Sequence, residues 1–235
     1  MQKSTLLEIQ QRFDNDVERF SNLETGQIST IDAVLSLELL TQTVAAVCPK
    51  AQSVLDLGCG AGNFTLKLLQ LLPNLDCTLV DLSQPMLDKS FERISEVTKG
   101  KIQTVQTDFL DMKLAASSFD IVITGAAMHH LRADEEWEVV FEKIYKSLKK
   151  GGCFFISDLI VHEHPAINEL MWKRYSNYLT AAGGKEYQEN VFAYIEKEDS
   201  PRSVTYQLEV MKKVGFSCVD ILHKNSSFAV FGGVK

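Results

Sequence analysis

Three glycines, Gly58, Gly60 and Gly62, stand at alternate positions directly after the apolar run "SVLDL". Such a stretch can turn tightly and let a ligand approach the main chain, because glycine has no Cβ and tolerates positive φ. Asp81 closes the next apolar run, "CTLVD", about twenty residues on, where a carboxylate can accept both hydroxyls of a ribose. A glycine turn followed by a strand-ending acid is chemistry for an adenosine-containing ligand. Two histidine pairs, His129/His130 and His162/His164, offer the side chain best suited to proton transfer near neutral pH.

The elements that must position these residues follow from apolar spacing. "SVLDL", "CTLVD", "KIQTVQ" (101–106), "FDIVITG" (119–125) and "GCFFISDLI" (152–160) read as strands. "GNFTLKLLQLL", "QPMLDKSFERISEV" and "DEEWEVVFEKIYKSLKK" read as the helices between them. Alternation at this spacing predicts βαβ units and a mostly parallel, doubly wound α/β sheet with helices on both faces. Residues 1–50 read as a helical cap, with Ser29 and Asp32 as a helix start. Residues 51–160 form the ligand-binding core, and residues 161–199 a polar, helical lid. Residues 200–235 supply a last helix, closed by Gly215 as its C-cap, and a hairpin, "FSCVDILHK" and "SFAVFGGVK", turning at Asn225 and Ser226. All four segments are expected to form one domain.

The glycine spacing decides between ligands. Dinucleotide sites favour GxGxxG, with the third glycine where helix packs on strand. Here Asn63 holds that place and the glycine has moved to Gly62. Asp56, just before the turn, would sit awkwardly near a pyrophosphate but suits an ammonium group. S-adenosylmethionine carries a ribose, an adenine and an amino-acid head, and no phosphate.

From about residue 50 onward the chain resembles class I S-adenosylmethionine-dependent methyltransferases, the Rossmann-like superfamily. "VLDLGCGAG" resembles their first motif, "LVDLSQPML" the second, "TDFLDM" the third, "FDIVITGAAMHHL" the fourth, and "LKKGGCFFISD" the turn and fifth strand. The resemblance implies a seven-stranded sheet with its last strand antiparallel. It also implies that Gly58, Gly60 and Gly62 lie along the methionine and ribose, and that Asp81 takes the ribose hydroxyls. Leu82 and Met86 would lie near the adenine, Asp108 at its amino group and Phe109 beside the ring. The loop from Gly125 would face donor and acceptor. The "RFD" opening and "FAVFGG" ending bear a weaker similarity to bacterial proteins grouped with transferases for tRNA wobble uridine.

A sulfonium methyl is already electrophilic, so the chemistry requires no metal, and none is expected. "HEH" (162–164) lacks a visible third ligand. An acceptor hydroxyl or ammonium would need a base, for which His129 and His130 are the candidates; His162 and His164 are weaker ones, which can equally be read as plain loop residues. Phe13, Phe20, Trp172, Tyr175, Tyr178 and Tyr187 could wall the acceptor pocket, or simply pack the lid helices. Lys173, Arg174 and Lys185 read as a solvated face.

Composition narrows the partners. The 235 residues carry a net charge of −7, which argues against a broad grip on nucleic acid. Five scattered cysteines without a CxxC pair fit a reducing cytoplasm better than a disulfide framework. The charged start does not read as a signal peptide, and no apolar run reaches the ~18–20 residues of a membrane span. The favoured function is methyl transfer from S-adenosylmethionine to a small molecule, leaving S-adenosylhomocysteine. The alternatives are a tRNA wobble-uridine methyltransferase or an enzyme that modifies the cofactor itself. A nicotinamide-dependent oxidoreductase or a non-catalytic cofactor-binding module ranks below these.

Overall fold

The computed structural model describes residues 3–22 and 27–235. Seven strands form one sheet in the order β3-β2-β1-β4-β5-β7-β6. They are β1 Ser53–Leu57, β2 Asp76–Asp81, β3 Ile102–Gln106, β4 Phe119–Gly125, β5 Leu148–Leu159, β6 Cys218–Asn225 and β7 Phe228–Val234. The first five pair in parallel, and β7 runs antiparallel to both β5 and β6. The expected doubly wound sheet is therefore present.

Residues that alternate along each strand feed two separate cores, because successive side chains point to opposite faces. Leu55, Val122, Phe154 and Ile156 pack with Trp137, Phe141 and Met211 of α6 (Asp134–Ser147) and α8 (Val204–Val214). Val54, Ile121, Ile123 and Phe155 pack on the other face. Their partners are Leu40 of α3 (Ala33–Val47), Leu68 of α4 (Asn63–Leu69) and Ile94 of α5 (Gln84–Ser95). Strand β5 starts at Leu148, earlier than the apolar pattern predicts. A register irregularity between Phe119 and Ile121 lets Leu148 join the ladder before Cys153 resumes it.

Two helices, α1 (Leu6–Asn15) and α2 (Val17–Ser21), and the long α7 (Pro165–Glu198) cover the carboxyl edge of the sheet. Gly184, at φ 83° and ψ 178°, breaks α7 into two helical arms. Their apolar faces, with Tyr175, Leu179, Val191 and Ile195, close on Leu159, Phe228 and Ile31. The helix start expected at Ser29 and Asp32 is not a capping box. Asp32 has φ 56° and makes no side-chain cap. Its carboxylate is engaged across the fold by His223 at 2.9 Å and Asn225 at 2.8 Å, so a tertiary contact displaces the local one. The five cysteines are free. Among the described residues, no helix is long and apolar enough to cross a membrane.

Candidate functional site

The glycine loop follows β1 directly. Gly58 has φ 65°, and a Cβ there would meet Ala127 Cβ at 2.4 Å, so the loop from β4 lies against it. Gly60 has φ 50°, yet a Cβ there would meet nothing within 4 Å. The space in front of Gly60 is thus open to a ligand. Gly62 plays a different part: its missing side chain makes room for Ile94 and Ser90 of α5, and it does not line the pocket.

Asp81 stands beside this loop. Its carboxylate accepts the Gly60 N–H at 2.8 Å and the Ser83 N–H at 2.9 Å. A carboxylate has about four lone-pair sites, so two remain for hydroxyls in the pocket. Burial pushes its pKa up, while these backbone donors pull it back. Asp108 caps the turn after β3 by accepting the Leu110 N–H at 2.7 Å. Leu82, Met86, Asp108, Phe109 and Gly125 all line the same pocket as Gly58, Gly60 and Asp81. Asp56 does not. It is 1% exposed and accepts the Thr65 hydroxyl at 2.7 Å beneath the loop. Burial, with Asp81 nearby, pushes its carboxyl up to about 7. The ammonium-binding role expected of Asp56 therefore lacks access to the pocket.

The pocket continues from the glycine loop toward His129 and His130, which form a short 3₁₀ turn (Met128–His130) after β4. Its cavity of about 210 Å³ exceeds by far the ~10–15 Å³ that one water needs. Asp158 at the end of β5 orients His129, accepting its main-chain N–H at 3.1 Å and its Nδ1–H. Burial alone would lower the His129 pKa; the charges of Asp158 and Asp199 and the Asp158 hydrogen bond outweigh it and raise the value to about 9. His130 goes the other way, held neutral by burial and by the charge on His129. Neither of its ring nitrogens has a hydrogen-bond partner among the described residues. Asp199, just after α7, lies with Oδ1 3.3 Å from His130 Nδ1 and 3.7 Å from His129 Nε2. Burial pushes its carboxyl up to about 6, against the pull of His129.

Helices α1 and α2 roof this end. Phe13 meets the His130 ring edge-on at 5.8 Å and Phe20 at 5.7 Å. Arg12 donates from Nε to both oxygens of Glu198 at 2.9 Å, tying the roof to the end of α7. Ser83 donates to Asp14 at 2.5 Å, and Asn63 donates to the Phe20 carbonyl at 2.8 Å. Of the aromatic residues expected as walls, Phe13, Phe20 and Tyr175 line the pocket, whereas Trp172, Tyr178 and Tyr187 lie outside the lining. His162 is also outside it, with Nε2 2.9 Å from the Ser226 carbonyl oxygen, and so is His164. Sequence reasoning missed Arg12, Arg19, Asp158, Tyr194 and Asp199. Asp158 alone carried a signal, as an acid closing an apolar strand.

Comparisons with known proteins agree with this fold. Residues 54–152 match a family described as a methyltransferase domain. A carboxy-S-adenosyl-L-methionine synthase of Campylobacter lari is 26% identical over 85% of this chain and 84% of its own length. One from Helicobacter pylori is 28% identical over 75% of this chain and 72% of its own. Human N-acetylserotonin methyltransferase, solved with its methyl donor, superposes with a TM-score of 0.65 at 18% identity. That match covers 99% of this chain and 59% of the human one, so the chain spans less than two thirds of that protein. The structure called PigF with SAH gives a TM-score of 0.62 at 16% identity, over 99% of this chain and 63% of its own. The sheet order and these matches give the chain the class I methyltransferase fold, with residues 54–152 matching a methyltransferase domain.

Proposed function

We propose that the chain transfers a methyl group to a small-molecule acceptor whose reacting atom lies at His129 and His130. The observation that carries this is one pocket running from Asp81 to an unpartnered, buried His130. When bound, S-adenosylmethionine supplies a sulfonium methyl; the acceptor forms the new bond to carbon while the S–C electron pair returns to sulfur. Asp81 would hold the ribose, Gly60 would leave room for the amino-acid part, and Phe109 with Leu82 and Met86 would flank the adenine. Arg19 lines the pocket and its Nε is buried without a partner among the described residues, so it can take the methionine carboxylate. His130, neutral and unpartnered, can receive a proton from an acceptor hydroxyl. The roof of α1, α2 and α7 excludes water and fixes the approach, a contribution worth ~7–11 kcal/mol in favourable cases.

A second reading follows from the relatives. Those compared above are named for making carboxy-S-adenosyl-L-methionine, and Arg19 could equally hold a carboxylate added to the cofactor. Mass spectrometry of the nucleoside after incubation with donor and candidate acceptors separates the two. S-adenosylhomocysteine with a methylated acceptor supports transfer; a cofactor heavier by a carboxylate sinks it in favour of the synthase.

A further inference from the structure

Three groups converge at the acceptor end of the pocket, and two of them, His130 and Asp199, carry buried atoms that lack the partners such atoms normally have. Asp199 is 5% exposed, yet its Oδ1 accepts no hydrogen bond. Both nitrogens of His130 are buried and unpartnered. His129 Nε2 points at the same carboxylate oxygen. The potential ligand atoms of these residues all lie within 4.8 Å of one another. Their closest separations, 3.3 and 3.7 Å, approach the edge of a tetrahedron built on bonds of ~2.0–2.1 Å, roughly 3.3 Å.

An ion pair alone accounts poorly for this arrangement. It uses His129 and Asp199 but leaves His130 with nothing to bind. The position of Asp158 is also telling. It accepts the Nδ1–H of His129 and so fixes the ring with Nε2 toward the cluster. A carboxylate behind an imidazole is the usual outer support of a metal-binding histidine, setting its tautomer and raising its basicity.

We infer that His129 Nε2, His130 Nδ1 and Asp199 Oδ1 together hold one divalent transition-metal ion, the Nε2 proton of His129 leaving to solvent as the ion binds, with its open positions facing the acceptor pocket. Two imidazoles and one carboxylate select zinc or iron(II) over magnesium or calcium, which take oxygen ligands. Three protein ligands with a free position form a catalytic rather than a structural site. The role of the ion rests on the methyl-transfer reading; its binding does not. An acceptor hydroxyl bound to the ion loses its proton more readily, the proton leaves to solvent, and the oxygen becomes the nucleophile. His130 then acts by holding the cation instead of taking the proton itself. The ion also sorts substrates, favouring acceptors with a carboxylate or carbonyl beside the reacting oxygen, which can chelate.

The test starts from full-length protein stripped with a chelator and shown to bind S-adenosylhomocysteine. Calorimetric titration with zinc chloride should give one bound ion per chain. Cobalt(II) should give the intense visible absorption of a four-coordinate site. His130→Ala and Asp199→Asn should abolish both signals while S-adenosylhomocysteine still binds, which excludes misfolding. Asp158→Asn should weaken zinc ~10–100-fold, as loss of an outer support does. No stoichiometric ion in the stripped wild type, or unchanged ion affinity in His130→Ala, overturns the site. Full methyl transfer by metal-free protein overturns the role. Stoichiometric zinc with a carboxylated cofactor as product leaves the site standing and removes the methyl-transfer reading instead.

Discussion

The cofactor half and the acceptor half of the pocket are built differently. The proposed cofactor half uses main chain: the Gly60 and Ser83 amides fix Asp81, and the space in front of Gly60 is open. Its residues follow β1 and β2, whose side chains fill both cores, and the edge strand β3, whose partly buried Val105 and Ile102 pack against them. The acceptor half uses side-chain charge. It gathers His129, His130, Asp158 and Asp199 under α1, which buries only Ile9, and α2, which buries nothing. In the methyl-transfer reading, a rigid cradle serves the constant ligand and a thinly anchored roof the variable one. Lids are drawn from the less stable parts of a fold because they must open.

The sharpest way to break this comparison is His130→Ala. If the halves are separable, turnover falls ~10²–10⁴-fold, the usual worth of help in removing the acceptor's proton, whether His130 takes that proton or holds an ion that loosens it. The affinity for S-adenosylhomocysteine should stay within about twofold, since no charge-assisted bond is lost. Equal losses in both would merge the two halves into one unit. Asp81→Ala is the converse. Loss of a charged acceptor costs ~1.5–3 kcal/mol, so calorimetry should show S-adenosylhomocysteine binding weakened about tenfold to a hundredfold. Wild-type affinity would remove Asp81 from the ribose site.

A third experiment probes the rigidity of the cradle. The Asp56 carboxyl is pushed up to about 7 by burial, whereas an unfolded aspartate titrates near ~3.9. Folding therefore favours its protonated form. That contribution is complete below pH ~4 and is lost as pH rises through 7. Asp56→Asn lacks this loss, so its Tm relative to wild type should climb between pH 5 and pH 8. Each kcal/mol recovered shifts Tm by ~2–4 °C in a chain of this size. A constant difference across that range would mean that Asp56 stays ionised and partnered in the fold.

The smallest effect concerns the roof. Arg12→Met removes the double hydrogen bond to Glu198 and keeps an apolar stem over the pocket. Amide exchange in residues 6–15 should quicken while that of β1 and β4 does not. Adding S-adenosylhomocysteine should slow it again in part. Exchange that ignores both changes would make α1 a fixed wall and not a lid.

Much of the cradle was legible because it is local. A strand, a glycine turn and a helix are contiguous, so their spacing in the chain is their spacing in space. Asp81 was legible for the same reason, as the last residue of an apolar run. Gly62 and Asp56 show the limit of that logic. They sit within the motif, but packing against α5 and burial beside Thr65 turn them away from the ligand. Likewise Asp32 does start α3, as its local signal implied, but its carboxylate goes to His223 and Asn225 of the far hairpin instead of capping the helix.

Taken alone, the sequence determined the alternation of strands and helices, the glycine loop, Asp81 and a histidine pair after the fourth strand. Each of these depends on neighbours within a few residues, where apolar period and turn chemistry act. Only the tertiary structure decided what surrounds that pair. Strands β4 and β5 run parallel with Gly125 opposite Ser157, which brings Asp158 beside His129. Helix α7 leaves β5, doubles back at Gly184 and ends over the same spot, delivering Asp199. Four residues from three elements meet there because a parallel sheet places the ends of its strands on one edge. No spacing along the chain encodes that meeting.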